Sequence, residues 1–483
     1  MDKLLGFAPD AEPTAPGVLR DCANLLPAEN GMQSAPSPVN PADVPPIASA
    51  CRGAAIITQL DDERRMFAGT EANLYELVAG VWTTVGSGYT GGPDIRWQFA
   101  QFGDSTLAAN EVDPIQRSTG AAFTSISGAP KARIIFSVGA FVMALNTNEA
   151  SFGLNPDRWW CSAVFNDTDW TPAVSTQCAT GRLVSTPGRI TAGGRMGDYA
   201  VAYKERAIYI GQYVGAPAVW DWQQIPGGDA GCVGQEAWCD VGGTHFVVGY
   251  ENFWLFDGAR ATPVGMGQVR QWFFDNSDPE YRYRTRCVFD RQNNRVWVFF
   301  AGNGYEHPNK ALVYHMLSKQ WGLVDWQVEA VLNYFAATPY TMDALSTLSP
   351  TYAGLPDVSF DSQFWWAGGQ VVAGFNASHQ LQAFVGASGS SGFTTWFMGD
   401  DDLYSLLTKI RIRFLPGRRP DTAVAQTANG PSMTEMSLGS SSSINDGKFD
   451  VLDSGRWHQV TINFTGTHQT TALGVTLVQE GDR

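Results

Sequence analysis

The chain has 483 residues, of which 44% are hydrophobic and only 16% charged, with 51 Gly, 26 Pro and a formal net charge of -15. That length can bury a large core in two or three domains or in one long repeat array, and the Gly and Pro content favours short strands and tight turns over long surface helices. The acidic balance lacks the basic footprint that drives phosphate binding by counterion release, which argues against sequence-specific nucleic-acid recognition.

Met1 to Pro13 holds a single Lys and one short apolar run, Leu4 to Ala8, too short for a signal-peptide core. No later run approaches the ~20 apolar residues of a membrane span. A cytosol-like compartment without membrane insertion is the expectation. Residues 1–50 are rich in Pro and Ala, and Pro36, Pro38, Pro41, Pro45 and Pro46 bar both a helix and a central strand. They predict an extended arm laid over another domain or subunit.

From Cys51 onward the pattern turns to hairpins, and Trp82, Trp170, Trp220, Trp321 and Trp396 each follow a set of short apolar runs. Their intervals are 88, 50, 101 and 75 residues. One matches and two nearly double a spacing of about 44 to 50, close to that of four-stranded propeller blades. The last interval does not fit. Where doubling predicts a missing aromatic, near Phe123 and near Ala261 to Val264, a strand-like block is still present.

Paired apolar runs around polar turns mark the strands within blades. They are Tyr199 to Tyr203 with Ala207 to Ile210, Phe246 to Gly249 with Phe253 to Phe256, Thr285 to Phe289 with Arg295 to Phe300, and Leu312 to Met316 with Trp321 to Val324. Helix signals are confined to Gly267 to Asp275 and to Asp402 to Lys409, the latter with Asp400, Asp401 and Asp402 at its start, where carboxylates suit the helix dipole.

Composition shifts again after about Gly399. Leu415 to Phe449 is rich in Gly, Ser, Thr and Pro, and Gly439 to Ser443 reads as a flexible loop. Trp457 to Phe464 alternates as a strand, with Leu473 to Val478 as its expected partner. Together the elements predict an all-β chain: an extended N-terminal arm over 1–50, a β-propeller of about seven blades (six to eight) over 51–399, and a separate small β domain over 400–483.

Chemistry-bearing patterns are weak. Acids cluster at Asp61, Asp62 and Glu63, at Asp167 and Asp169, and at Asp400 to Asp402, and a glycosidase needs two carboxyls facing across a sugar. Each cluster sits where Asp favours local turn bonding instead. Propeller sialidases carry a repeated SxDxGxTW turn, and Phe165 to Trp170 (FNDTDW) lacks its Ser and its Gly. Ser388, Ser390 and Ser391 do not form GxSxG. No GxxxxGK[ST] occurs, and the Gly265, Met266, Gly267 turn has Arg270 where a third glycine would be needed.

His245, His307, His315, His379, His458 and His468 are scattered singly, and Cys22, Cys51, Cys161, Cys178, Cys232, Cys239 and Cys287 form no CxxC pair. A zinc site is not indicated. Cys232 and Cys239 could bridge a hairpin, but reduced thiols are the expectation. No catalytic, cofactor or metal residue is assigned, and no cofactor is expected. The tryptophans read as packing between neighbouring blades. Phe364, Trp365 and Trp366 form the densest aromatic cluster and the first choice for a binding patch.

Trp97 to Gln116, WQFAQFGDSTLAANEVDPIQ, resembles a signature of the tail nozzle proteins of short-tailed bacteriophages, also called tubular tail protein B or packaged-DNA stabilisation proteins. Val18 to Gly31 (VLRDCANLLPAENG) resembles that family's N-terminal arm. Trp159 to Trp170 with Tyr199 to Tyr213, and Asn252 to Gly258, are similar to its blades, and Ser454 to Phe464 to its closing β region. The resemblance implies a non-enzymatic virion protein of the tail, assembled in the host cytoplasm, with a β-propeller and a platform to which the arm over 1–50 and the C-terminal β domain over 400–483 belong. It implies a homo-hexameric ring at the distal end of the tail that continues the portal-adaptor channel, meets tail fibres or spikes, retains packaged DNA and conducts genomic DNA without sequence specificity during ejection. A negative lumen would repel the DNA backbone, although acidity also serves solubility alone. The alternative reading is a β-propeller glycosidase or glycan-binding protein, favoured by the acid clusters and by Trp365 and Trp366.

Overall fold

The computed structural model describes residues 1–481 apart from 42–43, 62, 121, 228, 336–344, 346–348, 350, 356–357 and 359–368. Phe364, Trp365 and Trp366 lie outside the described residues, as does Asp62.

The chain is an all-β propeller with an appended β platform. Seven four-stranded antiparallel units follow one another around an axis. Blade 1 runs from Gly53–Thr58 to Val81–Ser87, and blade 2 from Gln98–Phe102 to Thr124–Ser125. Blade 3 spans Lys131–Val138 to Ala179–Arg182, and blade 4 Ile190–Met196 to Val219–Gln224. Blade 5 spans Trp238–Asp240 to Ala261–Val264, and blade 6 Arg286–Asp290 to Trp321–Val324. Blade 7 takes Ala330–Phe335, Gln370–Phe375 and Leu381–Gly386, and its fourth strand is Ser37–Val39 of the arm. Pro38 is tolerated there because the strand lies at the edge of its sheet.

The first strand of each blade is the innermost. Those of blades 1, 2, 3 and 4 touch in turn, as do those of blades 5, 6, 7 and 1. Between blades 4 and 5 the contact is made by Trp238, which lies over Gly194; a Cβ on Gly194 would sit 2.0 Å from the indole. Middle strands are buried between neighbouring blades, so Arg295–Phe300 (RVWVFF) is a continuous buried run rather than an alternating one.

Tryptophan spacing marks the outermost strands for a packing reason. Trp82 of blade 1 packs on Phe375 of blade 7 at 5.8 Å, Trp220 of blade 4 on Phe141 of blade 3 at 5.7 Å, and Trp321 of blade 6 on Phe253 of blade 5 at 5.1 Å. In each case the fourth strand of one blade supplies a large ring to the blade before it. Phe123 directly precedes the fourth strand of blade 2, and Ala261–Val264 is that of blade 5. Trp170 departs from the pattern: it is buried in the loop before the last strand of blade 3, donating to Asp167 O at 2.9 Å. Trp396 lies outside the propeller, between two strands of the platform.

The platform consists of two sheets. One joins Glu435–Ser443, Thr422–Ser432, Trp457–Thr465, Ser390–Thr394 and Asp21–Ala23 in that order, with Met398–Gly399 also on Trp457–Thr465. The other begins in blade 6 and continues without interruption through Leu25–Pro27 and Met32–Ser34 of the arm to Gln469–Gly481, Tyr404–Phe414 and Lys448–Gly455. A single apolar core accordingly extends from blade 4 through blade 6 into the platform, including Tyr203, Phe253, Trp321, Phe393, Ile410 and Phe464.

Several expectations are corrected. Asp402 to Lys409 is no helix: Tyr404–Phe414 is a strand, because Ile410 and Ile412 alternate with Arg411 and Arg413 at period two, and Asp400 instead caps a turn by accepting from the N–H of Asp402 at 2.8 Å. Gly439 to Ser443 is no loop but part of the strand Glu435–Ser443, whose ladder satisfies the backbone although its side chains bury little. Leu473 to Val478 pairs with Tyr404–Phe414 and not with Trp457 to Phe464. The strands Ser390–Thr394 and Met398–Gly399 belong to the platform, so the propeller's last strand ends at Gly386 rather than near 399. The helix near Gly267 is Arg270–Asn276, with Phe273 buried.

Candidate anion site at the closed end of the propeller axis

Every blade is built alike, so the residues that lead into its inner strand gather at one end of the axis. Here that position is repeatedly charged. Arg52 precedes the inner strand of blade 1, Arg96 that of blade 2, Glu236 that of blade 5 and Glu329 that of blade 7, while Arg133 lies within that of blade 3 and Arg286 begins that of blade 6.

Hydrogen bonds across the axis close this end. Gln235 of blade 5 donates through Nε2 to Arg133 O of blade 3 at 2.6 Å, and lies 3.4 Å from Gln98 Oε1 of blade 2. Tyr283 OH and Arg284 Nη2, leading into blade 6, both donate to Asp94 Oδ1 beside blade 2, the latter at 2.6 Å. Beyond this polar stopper the axis widens into a funnel of ≈ 390 Å³, lined among others by Gln98, Gln101, Ser137, Arg195 and Trp238.

Within the stopper is a cavity of ≈ 20 Å³ lined by Arg52, Arg96, Arg133, Arg284, Arg286, Asp94, Glu236 and His307, room for about one water-sized guest. The carboxylates there are shared or committed. Glu236 Oε2 lies 3.1 Å from Arg286 Nε and 3.3 Å from Arg96 Nε, yet neither contact is aligned as a hydrogen bond. Asp94 serves Arg284 and Tyr283, and Glu111 lies 3.4 Å from Arg133. Glu329 accepts from Cys51 N–H at 2.9 Å and meets His379 Nδ1 at 2.9 Å. No carboxylate lies within ion-pair distance of Arg52 among the described residues.

The buried Nε of Arg52, Arg96 and Arg133, and both Nε and Nη1 of Arg286, find no hydrogen-bond acceptor among the described residues. Burial pushes Arg286 down to about 9, helped by the neighbouring Arg96 and opposed by Glu236; it is still cationic at neutral pH. Burial also lowers Arg52 and Arg133. His307 is lowered by burial and then by Arg284, Arg52 and Arg286, which keeps it neutral in a positive field.

At the other end of the inner strands, the turns of blades 3 and 4 frame an open cavity of ≈ 510 Å³ lined by Phe141, Phe165, Tyr199, Tyr213, Trp220, Asp198 and Gln212 among others. Phe165 is 82% exposed at its rim, an unusual position for a large apolar ring.

The sequence-flagged acids do not converge on either place. Asp61 accepts from Glu63 N–H, Asp169 from Thr171 N–H, Asp167 pairs with Arg117 at 2.7 Å, and Asp401 accepts from Trp457 Nε1. All seven cysteines are free thiols, Cys232 and Cys239 included, and burial raises Cys51, Cys161, Cys178 and Cys232 to about 12. No group of three His, Cys, Asp or Glu arranged to hold a metal ion occurs among the described residues. The arginine cluster was missed because its members are far apart in sequence. Its signal was a basic residue at the start of successive inner strands, visible only once blades are aligned.

No protein-family model and no curated protein sequence matches this chain. Among solved structures, that of YCF48 bound to D1 peptide is similar at 11% identity and TM-score 0.37, covering 74% of this chain and 97% of that one. A chain of the mitotic checkpoint complex is similar at 8% identity and TM-score 0.42, covering 74% and 98%.

Proposed function

We propose that the chain is a structural, non-enzymatic tail protein of a short-tailed bacteriophage: one copy of a homo-hexameric nozzle ring at the distal end of the tail, which retains packaged DNA and conducts it during ejection. The observation that carries this reading is the segment Trp97 to Gln116 with its companions along the chain. Two architectural features support it. The sheet running from blade 6 into the platform makes each copy a stiff unit, suited to a load-bearing ring. The hydrogen-bonded stopper bars the propeller axis, so the DNA path would lie between copies, where an acidic surface repels phosphate. Portal-adaptor complex and tail fibres or spikes are the expected partners, in the virion tail. Mixing the purified chain with portal-adaptor complexes and imaging the product tests this; a six-fold ring at the tail end is expected, and its absence would overturn it.

A second reading, a glycan-binding or glycoside-cleaving propeller, is favoured by the aromatic cavity around Phe165, Tyr199 and Tyr213 with Asp198 and Gln212 beside it, since aromatic faces and nearby polar groups suit sugar rings. A glycan array and a hydrolysis screen without hits would remove it.

A further inference from the structure

The closed end of the axis carries more positive charge than its carboxylates offset. Arg96 and Arg286 share one carboxylate, Glu236, while Arg52 has none within ion-pair distance among the described residues; with Arg133 and Arg284, five guanidiniums meet the four carboxylates of Asp94, Glu111, Glu236 and Glu329. The nearby acids Asp94, Glu111 and Glu329 are engaged by Arg284, Arg133 and the Cys51 amide with His379. A guanidinium stays protonated at neutral pH, and buried charge without a partner is strongly disfavoured. Arg286, whose side chain is 3% exposed, has no hydrogen-bond acceptor for Nε or Nη1 among the described residues, although Nε lies 3.1 Å from Glu236 Oε2. Water would accept hydrogen bonds there but leave the charge.

We propose that Arg52, Arg96 and Arg286 bind one small monovalent anion, of chloride size, as a resident counter-ion that ties blades 1, 2 and 6 together at the axis. The size of the cavity, ≈ 20 Å³, selects against sulfate, phosphate and organic acids longer than formate. The anion would accept from donors on three blades at once and so act as a keystone of ring closure, independent of whether the ring belongs to a tail. His307, lowered by burial and then by Arg284, Arg52 and Arg286, is a built-in reporter, because an added negative charge beside it would raise its affinity for protons.

The test is thermal unfolding of the full chain at fixed ionic strength, exchanging gluconate for chloride, bromide or formate, together with diffraction from crystals grown in bromide. A saturable rise in Tm with the three small anions and none with gluconate is expected, with an anomalous bromide peak between Arg52, Arg96 and Arg286. Arg286→Met should abolish the anion dependence. Glu236→Gln, which removes the competing carboxylate, should move the chloride midpoint to roughly tenfold lower concentration. Identical curves in chloride and gluconate, or bromide absent from the cavity, would overturn the proposal, as would a carboxylate of another chain found in that place. The bromide measurement uses the unaltered protein, so a variant that fails to fold leaves the proposal open to refutation.

Discussion

Closure of the propeller depends on three residues of the arm, whereas the platform takes strands from most of its length. Ser37–Val39 alone completes blade 7. Asp2–Lys3, Asp21–Ala23, Leu25–Pro27 and Met32–Ser34 are instead distributed over both platform sheets, and Leu25 also meets Leu323 of blade 6. The apolar interior differs in the same sense. Blades 4 to 6 and the platform share one large core, while smaller clusters join blade 1 to blade 2, blade 2 to blade 3, blade 3 to blade 4, blade 6 to blade 7 and blade 7 to blade 1. The fused side should therefore unfold as one cooperative unit with the platform, and the remaining blades depend more on ring closure.

The largest expected effect follows from removing residues 1–40. This takes a strand from blade 7 and exposes edges in both platform sheets, and it should abolish the cooperative melt seen by near-UV circular dichroism. A truncated chain that melts like the full one would break the comparison. Next, Trp321→Ala on the fused side should cost ~3–5 kcal/mol by chemical denaturation, because the ring is 1% exposed and packed on Phe253 and Tyr314. Platform and propeller signals should shift together. Trp220→Ala, in the separate cluster that joins blade 4 to blade 3 rather than in the core shared with the platform, should split them.

A pH series probes the fused side through two of its buried imidazoles, one in a blade and one in the platform. His245 of blade 5 and His468 of the platform are both lowered to about 4, chiefly by burial. His245 donates from Nε2 to Arg195 O at 3.1 Å and accepts from Tyr203 OH at Nδ1, 2.6 Å away, a neutral tautomer with both nitrogens satisfied. The unfolded imidazole titrates near 6.5, so between that value and 4 the unfolded chain binds more protons than the folded one. Stability is therefore lost as pH falls through this window, by up to ~3 kcal/mol per residue. Denaturation midpoints at pH 7 and pH 4.5 check the sign. A flat profile would show that neither residue is held neutral.

Gly439→Ala is the subtler test. Its Cβ would lie 2.6 Å from Thr427 Oγ1 and 2.7 Å from Asp453 Oδ1, disturbing the carboxylate that accepts from Ser440 N–H at 3.0 Å. A loss of ~1–3 kcal/mol in the transition shared by the platform and blades 4 to 6 is expected.

What could be read in the sequence follows the same division. The blades were legible because blade-to-blade packing requires a large ring at a repeated place, as at Trp82, Trp220 and Trp321, and because adjacent strands such as Tyr199–Lys204 and Ile208–Gly215 pair locally. The platform was less so. Asp21–Ala23 pairs with Ser390–Thr394 across almost the whole chain, and no local pattern encodes such a partner. Gly439 to Ser443 looked like a loop because its strand is specified by backbone pairing and by Asp453, not by apolar alternation. The arginine cluster was hidden for a related reason: Arg52, Arg96 and Arg286 are single residues until the ring brings them together.

The most direct measurement is a cryo-EM reconstruction of the chain assembled on portal-adaptor complexes. A six-fold ring is expected, with six propellers whose stoppered axes lie away from the central lumen and an acidic surface lining that lumen. A particle without six-fold symmetry, or DNA density threading a propeller axis past Gln235 and Arg284, would contradict it.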